Sequence, residues 1–252
     1  MEVTSSMKRY PNLLAIETSG PHLSVAVRKG RELPSELGLE GFLEHAKNLL
    51  PMIHKGLSQK GLILQDIDAF LIGRGPGSFT GLKIGFATLK AFLACKKKPC
   101  YGVSSLDMIA LQAPIEGKPR LGVLLDARRE RLYARFYRRQ KDRWVPSGPV
   151  KASTLPEVIS KTPDSSYLAG DALRRYRDVF EKAKGLHSAE FLPEARWHPR
   201  ASTLIRCFEQ NRDHLSKQSS FLKKMEGPED FVPLYLRHPV AVRKKRSRGK
   251  HR

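Results

Sequence analysis

A glycine-rich run at residues 73–85, GRGPGSFTGLKIG, constrains the fold of this chain more than any other stretch. It follows the apolar segment 67–72 and continues into a segment with helical spacing, so it predicts a strand, a tight turn and a helix. Proteins of the α/β class commonly bind phosphate on backbone N–H groups at such a turn. The Lys-Ser/Thr pair that ends a P-loop is missing, so the run has the backbone of a phosphate loop without its side chains.

Length and composition restrict the class of protein. With 252 residues, of which 40% are hydrophobic, the chain can build one large domain or two small ones around an ordinary core. No apolar run reaches the roughly 18 residues of a membrane span, and the N-terminal segment lacks the apolar core of a signal peptide. The 3 cysteines include no Cys-x-x-Cys pair, so they predict neither a disulfide framework nor a zinc site. We therefore expect a cytoplasmic protein without membrane contact.

The second constraining feature is a formal net charge of +21. Residues 237–252 carry 8 Lys/Arg and no acid, and a second basic run lies within residues 128–143. Such charge attracts polyanions, chiefly nucleic acid or anionic lipid, although a solvated basic tail would have the same composition. We expect residues 238–252 to be disordered, because they contain too little apolar area to bury. The densest basic cluster of the tail supplies the predicted nucleic-acid contacts: Arg243, Lys244, Lys245 and Arg246.

Two β-hairpins organise the predicted fold. The first joins residues 13–16 to 23–27, and the second joins 121–127 to 132–137. An acid ends the first arm of each hairpin, Glu17 in one and Asp126 in the other. Two α/β units that each start with a hairpin predict a duplicated protein with a cleft between its halves.

The predicted domains follow from these units. The N-terminal lobe is expected to span residues 1–110, joined by a returning helix near 201–215, and the C-terminal lobe residues 111–200. The remaining predicted elements are strands at 67–72, 100–103 and 167–172, helices at 42–57, 82–95 and 174–184, and a short helix after 103.

Two of the predicted helices are strongly apolar. Residues 42–57 have apolar side chains at helical spacing with Pro51 among them, so we expect the helix to bend there or to restart one turn later. Residues 82–95 are apolar almost all round, which indicates burial on more than one side. Either this is the central helix of one large core, or a partner subunit covers it. Small residues such as Gly85 and Ala87 would permit close approach of another helix.

Side-chain patterns typical of catalysis are mostly missing from the sequence. There is no Gly-x-Ser-x-Gly nucleophile elbow and no His-x-x-x-His pair. Glu17 and Thr18 could place a carboxylate near a metal and a hydroxyl near a phosphate at the end of a strand. The alternative is a hairpin turn held by hydrogen bonds between side chains and backbone.

Short motifs in a fixed order connect these elements to a known family. They are LAIETS at 14–19, the glycine run at 73–85, GVSSL at 102–106, LDARR at 125–129, AGD at 169–171 and PLYLR at 233–237. Together they resemble the TsaB (YeaZ) family, the dimerization subunit of the bacterial machinery that makes tRNA threonylcarbamoyladenosine. The resemblance implies an α/β fold of the actin/Hsp70/sugar-kinase (ASKHA) type, with two similar lobes that each begin with a hairpin.

The resemblance also separates this chain from the catalytic relative TsaD. In TsaD the segment equivalent to residues 102–109 carries a His-x-x-x-His metal pair, whereas Ser105 and Ile109 stand at those positions here. The resemblance therefore implies a non-catalytic subunit with no cofactor or metal of its own, and at most vestigial sites at Glu17, Thr18 and Asp126.

Partners are implied in the same way. TsaD is expected to pair with this chain and to transfer a threonylcarbamoyl group to the adenosine next to the anticodon, and the ATPase TsaE joins them. A homodimer is expected when TsaD is absent, and tRNA is the substrate of the complex. The helices at 42–57 and 82–95 are expected to pack against the equivalent pair of TsaD. The predicted interface residues are His45, Leu49, Met52, Ile53, Lys83, Gly85, Phe86, Ala87 and Lys90. On this basis Gly85→Leu is expected to abolish TsaD binding and to leave the monomer folded.

The sequence departs from the family pattern at two places, and two rival functions stay open. Glu17 stands where Asp is common, and Glu44-His45-Ala46 where His-Ser-Glu is usual. One rival is an ATP-dependent phosphotransferase of the same fold, with Glu17, Asp126 and the glycine run as loose equivalents of its nucleotide site. The other is an RNA-binding module that acts through the basic tail and residues 128–143.

Overall fold

The computed structural model describes residues 10–41, 44–211, 221–227 and 229–234. Within these residues the chain folds into two mixed β-sheets of six strands each, flanked by helices. The strands are β1 (Leu13–Glu17), β2 (His22–Arg28), β3 (Ser35–Glu40), β4 (Ala69–Gly73), β5 (Cys100–Val103), β6 (Arg120–Asp126), β7 (Arg131–Gln140), β8 (Arg143–Pro146), β9 (Lys151–Thr154), β10 (Ser166–Ala169), β11 (Glu190–Phe191) and β12 (Leu222–Met225). The helices are α1 (His45–Gln59), α2 (Phe79–Cys95), α3 (Ser105–Ala110), α4 (Leu155–Lys161), α5 (Leu173–Glu181) and α6 (Ala201–Asn211), with 3₁₀ turns at Leu64–Asp66 and Glu194–Arg196.

The first sheet has the strand order β12-β5-β4-β1-β2-β3. β1 and β2 form an antiparallel hairpin in which Ile16 pairs with Val25, whereas β4 runs parallel to β1 and β5 parallel to β4. All residues of β1 and β4 are buried, because helices cover both faces of the sheet. α1 and α2 pack on the face that carries Ile16, and α6 packs on the face that carries Ala15.

The second sheet has the order β11-β10-β6-β7-β8, and β9 pairs with β7. β6 and β7 form an antiparallel hairpin in which Asp126 lies opposite Leu132, and β10 runs parallel to β6. Its core draws side chains from α3, α4 and α5, among them Ile109, Val158 and Phe180. Each sheet therefore has its own hydrophobic core, built around its own hairpin.

The α/β fold class and both predicted hairpins are confirmed. The predicted strand at 67–72 and helix at 82–95 occur as β4 and α2, although α2 already begins at Phe79. The Ser78 side chain explains this earlier start, because its Oγ accepts a hydrogen bond from the Gly81 N–H and caps the helix. Five strands have no predicted counterpart, and they are short or lie at a sheet edge: β3, β8, β9, β11 and β12.

For each of two helices, one predicted alternative is wrong. α1 runs without a break through Pro51, so no restart occurs there, whereas the alternative of a bend stays a prediction. α2 is not buried all round: one side faces the sheet through Leu82, Phe86 and Leu89, and the other side is exposed. The interpretation of α2 as the central helix of one large core is therefore wrong, whereas its cover by a partner subunit stays a prediction.

Some predictions concern the division of the chain rather than its elements. α6 packs against β1, β2 and β4. The division into lobes 1–110 and 111–200, with α6 returned to the first, is our proposal. Parts of the predicted helices (42–43 and 212–215) and the basic tail 238–252 lie outside the described residues. Among the helices described, none is both long and apolar enough to cross a bilayer.

Candidate functional site

The turn that follows β1 lies beneath the glycine run. Glu17 and Thr18 have no exposed surface, and Ser19 has 3%. A Cβ atom added to Gly77 would lie 2.1 Å from the Ser19 carbonyl oxygen, and one added to Gly81 would lie 2.1 Å from that of Thr18. Side chains at these two positions would thus overlap the backbone of the turn. The glycines permit a close approach between two parts of this chain.

Hydrogen bonds fix this contact at the start of α2. The Ser78 N–H donates to the Ser19 carbonyl oxygen over 2.6 Å, and the Gly81 N–H donates to Ser78 Oγ over 3.2 Å. A phosphate loop would turn such N–H groups toward its ligand. Here the Ser78 N–H bonds the turn of the first hairpin and the Gly81 N–H bonds a side chain of the glycine run itself, so neither is turned toward a ligand.

The Glu17 carboxylate is enclosed in the same contact. Its Oε1 accepts a hydrogen bond from the Ser19 N–H over 2.5 Å, whereas its Oε2 has no partner among the described residues. A Cβ on Gly73 would overlap Oε2, at 1.7 Å. Burial raises the pKa of Glu17 to about 7, against the opposing effect of its hydrogen bonds to Ser19. In this structure neither Glu17 nor Thr18 is accessible to a nucleotide or a metal ion.

The turn that follows β6 is open instead. Asp126 is partly buried, and its Oδ1 accepts a hydrogen bond from the Arg128 N–H over 2.8 Å. The Asp126 N–H in turn donates to Asp171 Oδ1 over 2.9 Å. Burial raises the pKa of Asp171, and this N–H opposes the rise. Within the described residues no hydrogen bond joins Asp126 to Glu17, so the two predicted carboxylates do not form a contact pair.

Ser105 and Ile109, at the positions of the TsaD histidines, are both buried on α3. The Ser105 and Ser19 hydroxyl oxygens form a hydrogen bond of 2.7 Å, and Ile109 belongs to the core of the second sheet. A hydroxyl that is already bonded and a hydrocarbon side chain do not fit a metal ion. Among the described residues no group of three or more His, Cys, Asp or Glu side chains could hold one.

Sequence reasoning missed a buried charge cluster between α3 and β7. Arg135 Nη1 donates to both carboxylate oxygens of Asp107 over 2.7 Å, and the Tyr137 hydroxyl donates to Asp107 Oδ1 over 2.7 Å. Burial raises the pKa of Asp107 to about 6, although the Arg135 guanidinium opposes the shift. The cluster links α3 to β7 of the second hairpin. The sequence did contain one signal of this cluster, since Arg135 lies between two tyrosines on one side of β7.

Five of the nine predicted interface residues lie inside the chain. His45, Leu49, Ile53, Gly85 and Phe86 are buried, because α1 and α2 pack on the first sheet. These five residues are therefore not on the surface of the single chain, and their part in an interface stays a prediction. A Cβ on Gly85 would lie 2.5 Å from Thr18 Oγ1, so Gly85 permits packing on β1 rather than on a partner. This contact argues against the expectation that Gly85→Leu leaves the monomer folded.

The other four predicted interface residues are accessible. Lys83, Ala87 and Lys90 are exposed on α2, and Met52 is partly exposed on α1. Phe79 of α2 is also exposed, by 41%. We call this set the α1–α2 face: Met52, Phe79, Lys83, Ala87 and Lys90. It combines large apolar, small and cationic side chains on two packed helices.

A separate cavity of about 400 Å³ lies between β2, β3, α5 and the start of α6. The Glu36 carboxylate in its wall accepts hydrogen bonds from the N–H and the hydroxyl of Ser202, so it caps α6. The imidazoles of His22 and His198 lie 4.3 Å apart there, and burial lowers the pKa of His198 to about 4. This cavity contains none of the predicted site residues.

The predicted nucleic-acid contacts Arg243 to Arg246 lie outside the described residues. Of the basic run 128–143, Arg135 binds Asp107, and Arg139 donates to the carbonyl oxygens of Ile115 and Gly117. These two arginines stabilise the fold, so the run is not a uniform basic surface.

The fold and the site together define a protein of the actin/Hsp70/sugar-kinase class in which the chain itself fills the turn of the first hairpin. Residues 42–244 match the family model described as TsaD: tRNA N6-adenosine threonylcarbamoyltransferase. The chain belongs to this family and, within it, to the TsaB (YeaZ) proteins.

Individual relatives agree with this assignment. The chain is 32% identical over 148 residues to the tRNA threonylcarbamoyladenosine biosynthesis protein TsaB of Escherichia coli K12, a match that covers 58% of this chain and 64% of that protein. It is 28% identical to the TsaB of Buchnera aphidicola subsp. Schizaphis graminum, over 77% of this chain and 90% of that protein. Among solved structures, a Pseudomonas aeruginosa protein described as similar to peptidase YEAZ superposes with a TM-score of 0.70 at 26% identity, covering 90% of this chain and 100% of that one.

Proposed function

We propose that this chain is a non-catalytic subunit required for threonylcarbamoylation of tRNA adenosine next to the anticodon. In this proposal it pairs with a threonylcarbamoyltransferase of the TsaD type, and the ATPase TsaE joins the assembly. A cytoplasmic location is part of the proposal. The observation that carries it is the buried Glu17–Ser19 turn, together with membership of the TsaB family.

The buried turn argues against catalysis by this chain itself. Phosphoryl or group transfer at this position would need a carboxylate that can reach a nucleotide or a metal ion. Glu17 has no exposed surface, and its pKa of about 7 leaves it largely protonated in mildly acidic solution. We therefore assign the chemistry to the partner subunit.

The α1–α2 face is the surface that we propose for this partner. Met52 and Phe79 supply apolar area, and Ala87 allows the backbone of another helix to approach closely. Lys83 and Lys90 lie at positions where they can pair with acids at the rim of an interface. The buried residues beneath, such as Leu49 and Phe86, hold the two helices in place. A second copy of this chain would use the same face when the partner is absent.

The test places a charge at the centre of this face. Ala87→Glu is compared with Val179→Glu, which introduces the same charge at an exposed apolar position of α5. Isothermal calorimetry with the TsaD-type partner should show an affinity at least about tenfold lower for Ala87→Glu, because an unpaired charge is buried in the interface. Val179→Glu should bind like the parent chain, and both variants should melt like it. Equal affinities for the two variants would contradict the proposed face.

A reconstituted modification assay tests the role itself. Threonylcarbamoyladenosine should form on tRNA with the transferase, the ATPase and this chain together, and not when this chain is left out or acts alone. The phosphotransferase remains the rival function. The buried turn leaves no room for a phosphate, so we expect no ATP binding by the isolated chain. Magnesium-dependent ATP binding at micromolar concentration would therefore favour the phosphotransferase.

A further inference from the structure

Three arginines project from one side of the second sheet near one end of its hairpin. Arg120 begins β6 and lies directly opposite Arg138 of β7. Gln140, two residues beyond Arg138 and hence on the same face, pairs with Arg143 of β8. All three arginines are exposed. Cross-strand neighbours on one face lie about 5 Å apart at their Cβ atoms, and diagonal ones about 7–8 Å. We call Arg120, Arg138 and Arg143 the arginine triplet.

The triplet has no acidic counterpart within the described residues. None of its members takes part in an ion pair there, and the Arg138 guanidinium donates to the side-chain amide oxygen of Gln140 over 2.9 and 3.1 Å. The neighbouring β7–β8 turn adds Lys141 and one acid, Asp142. The nearby acid Glu190 pairs with Lys118.

The pairing of Arg120 with Arg138 is expected to destabilise the sheet. Like charges directly opposite each other on two strands repel and destabilise the pair. Natural sequences are otherwise consistent between local and global preferences, and positions that break this consistency tend to be functional. The contrast with Arg135 is informative, since that arginine of the same strand has a buried carboxylate partner. An external anion would remove the repulsion between Arg120 and Arg138.

We propose that the arginine triplet binds the phosphate backbone of a structured RNA. The identification of this RNA as tRNA rests on the proposed function. Guanidinium groups bind phosphate oxygens in a bidentate manner, and backbone contacts of this kind orient a nucleic acid without reading its sequence. A membrane surface is less favoured, because basic membrane-binding surfaces also insert apolar side chains. Within the described part of the chain, the exposed large apolar side chains lie outside β6–β8.

The test compares two variants of equal charge in the full chain. One carries Arg120→Gln, Arg138→Gln and Arg143→Gln, and the control carries Arg175→Gln, Lys182→Gln and Lys184→Gln at exposed positions in and just after α5. The probe is an unmodified tRNA transcript, titrated at several salt concentrations. The triplet variant should bind about tenfold more weakly than the control. Its plot of log affinity against log salt should be shallower than that of the parent by about 2 to 3, because about 0.7–0.9 of slope is lost per phosphate contact.

Three further measurements separate the outcomes. The triplet variant should melt at the same or a higher temperature than the parent, because its repulsion is relieved. Equal RNA affinity of the triplet and control variants would overturn the inference, and so would a loss confined to vesicles that contain phosphatidylserine. Calorimetry with the TsaD-type partner reads the proposed function independently. A parent chain that fails to bind this partner, while the triplet variant still loses RNA, would refute the proposed function and leave the RNA contact supported.

Discussion

The two hairpins of this protein begin their lobes in the same way and end in opposite environments. The turn after β1 is buried, and three glycines of the run at 73–85 pack on it. The turn after β6 is exposed, and three of its residues have left-handed backbone angles: Arg128 (φ 61°), Arg129 (φ 51°) and Glu130 (φ 58°). Both turns follow a strand that ends in an acid, Glu17 or Asp126.

This difference lies in the space that each turn leaves for a ligand. A site for a nucleotide needs space and accessible N–H groups at the turn of the first lobe. Here the space is filled by close packing, so the first turn anchors α2 on its sheet. The fixed helix then presents its opposite side to solvent. The second turn retains accessible charge, which suits contact with a polar partner.

Gly81→Ala is the variant that should disturb the comparison most. In an exposed helix this change stabilises by about 1 kcal/mol, because alanine is the better helix former. Here the new methyl group would lie 2.1 Å from the Thr18 carbonyl oxygen, against backbone that cannot move aside. We expect a loss of about 4 kcal/mol in the free energy of unfolding, measured by urea denaturation.

Gly148→Ala serves as the matched control for this variant. A Cβ at Gly148 would meet no atom within 4 Å, and no positive φ restricts the position. Its stability should stay within about 0.5 kcal/mol of the parent or rise slightly. If Gly81→Ala behaves in the same way as Gly148→Ala, the first turn is not closed by packing.

Glu17→Gln sharpens the comparison through its pH dependence. Folding raises the pKa of Glu17 from 4.5 to about 7. Between these values the native state holds a proton that the unfolded state has released, so the parent loses stability as the pH rises through this range. The loss amounts to about 3 kcal/mol and is complete above pH 7. A glutamine cannot ionise. The free energy of unfolding of the variant, relative to that of the parent, should therefore increase by about this amount between pH 4.5 and pH 7.5.

Denaturant titrations at several pH values measure this gain. Glu116→Gln, at an exposed position, should follow the parent at every pH. A stability difference between Glu17→Gln and the parent that stays constant with pH would mean that water reaches the carboxylate in solution.

Tyr137→Phe tests the hydrogen bond that connects the second hairpin to α3. The hydroxyl of this buried tyrosine donates to Asp107, and its removal leaves a buried carboxylate with one donor fewer. A hydrogen bond to a charged group contributes about 1.5 kcal/mol or somewhat more, so we expect a loss of this size in chemical unfolding. Tyr176→Phe is a close control, because the Tyr176 hydroxyl is buried without a partner among the described residues. This second change should be neutral or stabilising, and equal losses for the two would argue against the Asp107 bond.

Local signals in the sequence were sufficient for both hairpins and for the order of strand, glycine turn and helix. Alternation, turn residues and helical spacing act within a few residues of one another, so they can be read without tertiary structure. The edge strands β8 and β11 gave no such signal because they are short.

The closure of the first turn depends on contacts between residues about sixty positions apart, which no local pattern reports. One signal was nevertheless present: Gly77, Gly81 and Gly85 are four residues apart and therefore lie along one side of the helix and its approach. For Gly85 this close approach was attributed to a partner subunit. The sequence could not distinguish a partner from β1, because both would require small residues on that side.

Glu130→Gly is expected to have the smallest effect and tests the open turn directly. A non-glycine residue in the left-handed region costs about 1 kcal/mol, and glycine removes this cost while it adds freedom to the unfolded chain. We expect a net gain of about 0.5 kcal/mol, which corresponds to a rise of about 1–2 °C in the melting temperature. Arg131→Gly, at the next residue, should instead lose about 0.5–1 kcal/mol, because Arg131 begins β7 and its φ is not positive. Opposite signs for these neighbours would show that the turn after β6 holds backbone strain, which the packed turn after β1 avoids.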